Sequence, residues 1–528
     1  MHTQFNFKSA VRDSADVAAA LCTACVVISA SHISACSGDS PGDAEQPTVV
    51  ITGPSSTAAA GATAPQATMT SQPQGGTTAT APTRPGTPAG MTMPMMPAPS
   101  SNMPAPAQAP RPGNGETPPP LQKGDCAAMP WVNPGGVPAV TLKEIPANAG
   151  SGRPAEQVTG LSTYGYDWKE FLFTSTSPAY TSRLLVKKPR DPAKFSGTVF
   201  VEWYNVSGGA DFAVLWGNSK EYFMREGHAF IGVSAQSVGT SQLAMADPGR
   251  YGEVKIENDN ISNAVFGQAG NAIKSQTEAL LGPCMPVRAL IAIGQSQSSA
   301  RLTSYVNTAQ PKDQVYDGLM LHSGGEPATN NPAIPTFVVL TMTEGNGRLM
   351  DGPNMVKWNV AGASHNDLHT TTQGAIGVMP FNCKNQMNNF PAYRVYNAAL
   401  HHLHLWVRQG TKPPAGMRFQ MNGAQRATDA HGNVLGGVRS ADIEVPIAMH
   451  GLENGPVDPN DRIASLACGL GGQQVPFSEA ELTALYPTHD DYVAKYTAAA
   501  EATVAAGYWL QADRDAAVMA AQAARIPK

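Results

Sequence analysis

Charge is scarce in this chain. Asp, Glu, Lys and Arg together make up 14% of its 528 residues, and the net charge is −5. No basic stripe or charge run stands out, which argues against nucleic acid or another polyanion as a partner. Metal-binding patterns are missing as well: there is no H-E-x-x-H, and beyond the N-terminal apolar run no cysteine pair has zinc-finger spacing. His401, His402 and His404 share one helical stretch without making a ligand set, so no metal and no cofactor is predicted. The methionines between Met91 and Met103 lie in Pro-rich sequence and are read as incidental. Long apolar runs are lacking too. The one near the N-terminus, residues 17–30, is too short and too interrupted for a comfortable membrane span.

What surrounds that run is informative. Lys8 and Arg12 precede it, and it ends at Ile33-Ser34-Ala35-Cys36 followed by Ser37. Small residues before a cysteine are what a lipoprotein signal peptidase cleaves, so residues 1–36 read as a lipoprotein signal with Cys36 lipidated. An ordinary secretory signal cut nearby is the alternative, and both export the chain. Ser37, with no aspartate in its place, fits outer-membrane sorting. The predicted location is the cell envelope, on the outer membrane or its periplasmic face, with a lipid anchor as the membrane contact. Residues 37–122 are dominated by Pro, Ala, Thr, Ser, Gly and Met, with scarcely any aromatic residue. Ordering them would cost about 1–2 kcal/mol per residue with little apolar area buried in return, so they read as a disordered tether.

Residues 123–528 have the composition of a globular domain. Cys22 and Cys25 leave with the signal, and Cys126, Cys284, Cys383 and Cys468 remain, an even number that allows three pairings. Export favours at least one bridge among them. Strands are predicted at 171–173, 182–187, 197–203, 229–234, 289–293, 318–321, 336–340 and 356–360. Helices are predicted at 220–226, 263–281, 297–307 and 393–409. The alternation implies an α/β fold: a mostly parallel central sheet with helices on both faces, its chemistry at the carboxyl ends of the strands. Residues 415–528 form a long C-terminal extension that packs back over the domain or rims the site. Tyr251, Gly252 and the stretch to Gln268-Ala269-Gly270 are predicted to line the pocket or belong to a cap.

The sharpest local signal is Ala289-Leu290-Ile291-Ala292-Ile293-Gly294-Gln295-Ser296-Gln297-Ser298. An apolar run, a glycine, a serine and a following helix have the form of a nucleophile elbow, with Ser298 where a second glycine is usual. Alone, the same pattern also makes an ordinary strand-to-helix turn. A serine hydroxyl needs a histidine base and a carboxylate that orients it. Glu344 follows the strand at 336–340 and His365 follows the strand at 356–360, which gives the chain order serine, acid, histidine. Ser296, Glu344 and His365 are therefore the candidate catalytic residues. Asp351, Asp367 and Glu326 remain rivals for the acid. The oxyanion donors are predicted from the backbone of Gln297 and of the loop Val206, Ser207, Gly208 and Gly209.

Asn205-Val206-Ser207-Gly208-Gly209, Gly232-Val233-Ser234-Ala235-Gln236, Gly294-Gln295-Ser296-Gln297-Ser298 with Arg301, and Gly362-Ala363-Ser364-His365 resemble a bacterial family of "alpha/beta hydrolase domain" proteins. The likeness extends over nearly the whole core, to Gly410-Thr411-Lys412-Pro413-Pro414 and to residues 429–439. That family's elbow also carries Ser-Gln-Ser before an arginine, usually with glycine where this chain has Ser299. The resemblance implies an alpha/beta-hydrolase fold and esterase chemistry on a small-molecule ester, and it names no substrate. A surface-binding lipoprotein on a lapsed hydrolase scaffold, and an amidase or peptidase, are the alternatives. Oligomeric state is not readable.

Overall fold

The computed structural model describes residues 126–527 apart from 128, 157, 159 and 373–381. The predicted signal, Cys36 and the tether lie outside the described residues. A nine-stranded sheet forms the centre, in the order β1-β2-β3-β5-β4-β6-β7-β8-β9. β1 (Thr141–Ile145), β2 (Tyr166–Thr176) and β3 (Ala179–Pro189) form an antiparallel meander. β3 pairs antiparallel with β5 (Ala229–Val233). From β5 onward every pairing is parallel, through β4 (Thr198–Trp203), β6 (Ala289–Gln295), β7 (Gly318–His322), β8 (Thr336–Leu340) and β9 (Met355–Asn359).

The helices are α1 (Val214–Glu226), α2 (Ser237–Ala246), α3 (Ser262–Ser275), α4 (Gln297–Thr308) and α5 (Tyr393–Gln409), followed in the extension by α6 (Arg462–Gly471), α7 (His489–Ala505) and α8 (Gln511–Ala523). They cover both faces, and the strands show it in their period of two. On β6, Ile291 and Ile293 join the core under α1, α5, α7 and α8, while Leu290 and Ala292 join the core under α3 and α4. The extension thus thickens one layer: Tyr492, Tyr496, Ala517 and Val518 share a core with Trp406 of α5.

Two helices depart from the predicted bounds by more than one residue. The single helix predicted at 263–281 breaks at Gln276, which leaves the helical region at φ −122°, ψ 36°. The helix predicted at 220–226 starts earlier, at Val214, with a kink at Ser219. Its first turn is capped from a distance: both Glu202 carboxylate oxygens accept N–H groups, from Leu215 at 2.8 Å and Trp216 at 3.0 Å. Burial pushes the Glu202 carboxyl up to about 8, against the pull of those two N–H groups. Gln268 is also placed differently from the sequence expectation. It lies inside α3 and bonds Tyr180, Ser175 and the Ser177 carbonyl, so it fastens α3 to the β2–β3 hairpin and does not line a pocket. Tyr251 likewise is buried and donates to Glu170 at 2.9 Å.

Disulfides join Cys126 to Cys284 and Cys383 to Cys468. Among the described residues no helix is long and apolar enough to cross a membrane.

Candidate active site

β6 delivers Ser296 into a sharp turn. Its φ is 57° and ψ −119°, a conformation that L-residues avoid and that costs of order 1–3 kcal/mol. Three features hold it there. Ser296 N–H donates to the His322 carbonyl at the end of β7 at 2.9 Å. Gly294 lets α4 fold back closely, since a Cβ there would lie 2.8 Å from Leu302 and 3.1 Å from the Ser298 backbone. Ser298, in the place of the usual second glycine, is fully buried; its hydroxyl donates to Gln295 O at 2.8 Å and accepts Gln295 N–H at 3.1 Å. The serine therefore ties the elbow shut instead of crowding it.

Ser299, where the resembled family usually has glycine, is matched by a glycine on the facing segment. A Cβ on Gly324 would overlap Ser299 and come within 2.7 Å of the Ser296 carbonyl oxygen. The Gly324-Gly325 pair just after β7 is the sequence sign of that close approach.

The three candidate catalytic side chains meet. His365 Nε2 lies 2.8 Å from Ser296 Oγ, and His365 Nδ1 lies 2.6 Å from Glu344 Oε1. The other oxygen of Glu344 accepts the Thr341 N–H at 2.8 Å and the Thr341 hydroxyl at 2.7 Å. Burial opposes ionisation of Glu344, yet the hydrogen bond and charge of His365, with the two bonds from Thr341, hold its carboxyl down at about 2. It is a carboxylate across the working pH range. The rival acids are engaged elsewhere. Asp351 accepts Lys357 N–H at 2.9 Å, Glu326 pairs with Lys357 Nζ at 2.9 Å, and Asp367 caps its own turn through Thr370 N–H at 2.7 Å. A second histidine stands close by: burial pushes the His322 imidazole down to about 3, and it lies edge-on to Tyr396 with 4.3 Å between ring centroids.

In the loop after β4, two of the predicted oxyanion donors are already used. Ser207 N–H donates to Asn205 Oδ1 at 2.8 Å and Gly209 N–H to the Val206 carbonyl at 3.0 Å. Among the described residues, the N–H groups of Val206, Gly208 and Gln297 have no such partner, and Gln297 opens α4 directly after Ser296. The Gln297 side chain is tied down separately, by Nε2 donating to Gln236 at 2.9 Å; Gln236 in turn donates to Asp259, which also accepts from Arg301 at 2.8 Å.

The extension reaches the site from behind. Asn366 N–H, next to His365, donates to the Leu470 carbonyl at 3.1 Å. Asn388 Nδ2 donates to the Gly362 carbonyl at 2.7 Å, and Asn388 N–H to Gly471 O at 3.2 Å. Cys383 lies shortly before Asn388 and Cys468 shortly before Leu470, so their disulfide joins the two supporting segments into a strap behind the His365 loop. Nothing local in the sequence announces this contact between distant segments.

A family model described as an alpha/beta hydrolase domain matches residues 155–519. The chain belongs to the alpha/beta hydrolase domain family. The matched residues include the elbow, Glu344, His365 and most of the extension. No curated protein matches the chain. Among solved structures, esterase Est22 aligns with 10% identity and a TM-score of 0.24, over 34% of this chain and 64% of that one. The chain thus spans somewhat less than two thirds of that relative. A cold-adapted esterase from an Arctic intertidal metagenomic library aligns with 12% identity and a TM-score of 0.24, over 42% of this chain and 81% of the other. A prolyl endopeptidase aligns with 9% identity and a TM-score of 0.21, over 48% and 28%.

Proposed function

We propose that this family member is an exported serine hydrolase that cleaves a carboxylic ester of a small molecule through an acyl-enzyme. The observation that carries the reading is the unbroken chain from Ser296 Oγ through His365 to Glu344, at 2.8 and 2.6 Å. Ser296 Oγ attacks the ester carbonyl while His365 Nε2 takes its proton. Glu344 holds the Nδ1 proton in place and stabilises the imidazolium. The carbonyl oxygen, now an oxyanion, meets the backbone N–H of Gln297 and those of Val206 and Gly208. One such donor is worth about 3–4 kcal/mol to the transition state. The imidazolium then protonates the leaving alcohol, and a water activated by the same nitrogen releases the acid.

Export and anchoring are part of the proposal. They rest on the basic, apolar and small-residue pattern that ends at Cys36, and the two disulfides suit an oxidising compartment. Residues 37–122 would then hold the catalytic domain away from the membrane.

The test is covalent labelling. A fluorophosphonate should modify Ser296, located by mass spectrometry of the digested protein, and neither Ser296→Ala nor His365→Ala should react. A folded protein that takes no label would sink the reading.

A further inference from the structure

Asn205 and Gln295 touch the site without a part in the steps above. Both side chains are buried, at 6% and 1% exposure. An amide has a donor end and an acceptor end, and its neighbours decide which way it points. Ser207 N–H donates to Asn205 Oδ1 at 2.8 Å, so the other end of that amide is the NH2 group. It donates to the Gln295 backbone carbonyl at 2.9 Å and to Gln295 Oε1 at 3.3 Å. With its oxygen engaged, Gln295 presents Nε2 to the histidine, 3.4 Å from His365 Nε2 and 3.5 Å from the His365 carbonyl.

Donor polarity therefore runs one way, from the backbone of the oxyanion loop to the imidazole. A donor facing His365 Nε2 favours a lone pair on that nitrogen, which puts the single proton of the neutral ring on Nδ1, against Glu344. That is the tautomer a base for Ser296 requires. We propose, on the catalytic reading given above, that Asn205 and Gln295 are positioning residues: a relay of donors that selects the base form of His365 and fastens the ring to the oxyanion loop. Once Ser296 has given up its proton, the new Nε2–H faces another donor. The relay then favours passing the proton to the leaving alcohol over keeping it on the ring.

The experiment compares full-length wild type, Gln295→Glu, Gln295→Met and Asn205→Asp by steady-state hydrolysis of p-nitrophenyl butyrate and by the rate of fluorophosphonate labelling. Gln295→Glu keeps an acceptor towards Asn205 and turns the donor facing His365 into an acceptor; Gln295→Met keeps the size and removes both ends. The relay requires Glu to be the worse variant, with kcat down about 10²-fold and KM within about twofold, against a kcat loss of about tenfold for Met. A merely structural amide gives the reverse order, because Glu retains the Asn205 bond that Met loses. The reverse order, or a folded Gln295→Glu protein with wild-type kcat, overturns the proposal. Should Gln295→Glu not fold, Asn205→Asp carries the question one residue away: losing the NH2 donor lets the Gln295 amide turn round and lowers kcat alone, and a folded Asn205→Asp protein with unchanged kcat overturns the relay. Absence of label on wild-type Ser296 would overturn the catalytic reading and the relay together, whereas a labelled wild type with the wrong order of variants removes only the relay.

Discussion

Removing the Cys383–Cys468 disulfide should cost stability and, separately, catalysis. The bond spans 85 residues, and releasing a loop of that length returns about 4.6 kcal/mol of chain entropy to the unfolded state. With an unfolding entropy of about 0.8 kcal/mol/K for roughly 400 ordered residues, Tm should fall by about 5 °C. The Cys126–Cys284 bond spans 158 residues, and the same relation gives about 5 kcal/mol, so the two losses of stability are nearly equal. Their effects on turnover are not. Cys284 precedes the amino end of β6, at the opposite end of that strand from Ser296, whereas Cys383 and Cys468 flank the residues that support the loop of His365. The assay is calorimetry and ester hydrolysis on the two double Cys→Ser variants, at a temperature where both remain folded. The 126/284 pair should keep kcat within about twofold, and the 383/468 pair should lose about tenfold or more, as expected when a base is displaced by a fraction of an ångström. Equal activities alongside equal losses of Tm would refute the idea that the strap seats the histidine.

Glu344→Gln should preserve the fold and lower kcat about 10⁴-fold, because the amide no longer holds the required imidazole tautomer; Asp351→Asn, whose carboxylate serves the backbone N–H groups of Lys357 and Gly416 and not His365, should leave kcat within about twofold, and comparable losses would move the acid away from Glu344. Glu202 titrates near 8 in the folded protein against an ordinary 4.5. Between those values the unfolded chain has lost a proton that the folded chain keeps, so stability falls as pH rises, by up to about 5 kcal/mol. Urea melts of Glu202→Gln at pH 5 and pH 8 should lack that decline, and an unchanged difference would contradict the assignment. Gly324→Ala should destabilise by about 1–3 kcal/mol through overlap with Ser299. Adding Ser299→Gly should recover only part of this, since the Ser296 carbonyl still lies 2.7 Å from the new methyl; a Gly324→Ala protein as stable as wild type in the same melts would argue against the close approach.

Much of the sheet was legible because its strands are buried on both faces and read as unbroken apolar runs. β8 and α5 have the bounds that the pattern predicts, and β6 extends only to Gln295 beyond its predicted end. The order of Ser296, Glu344 and His365 was legible because each follows a strand whose end the apolar pattern marks. Features made by distant residues were not. The early start of α1 depends on a carboxyl group contributed by β4, and the pairing of four cysteines depends on contacts that span most of the domain. That the Ser207 N–H of the 206–209 loop is already bonded depends on the Asn205 rotamer, which no spacing rule encodes. The support from Leu470 comes from an extension that carries no motif for it, and that from Asn388 from a segment before α5 that carries none either.

That support also has a consequence for the order in which the site is assembled. A chain made from its N-terminus presents Ser296, Glu344 and His365 well before Leu470 and Cys468 emerge. The nucleophile and base of the proposed mechanism therefore exist as sequence before the segment that supports the His365 loop. A product that stops short of α6 would carry every reacting side chain and still lack the backbone carbonyl that anchors Asn366. On the proposed mechanism, a competent site would wait for the segment that carries Leu470 and Cys468, so a late part of the chain would license the first chemistry the molecule performs.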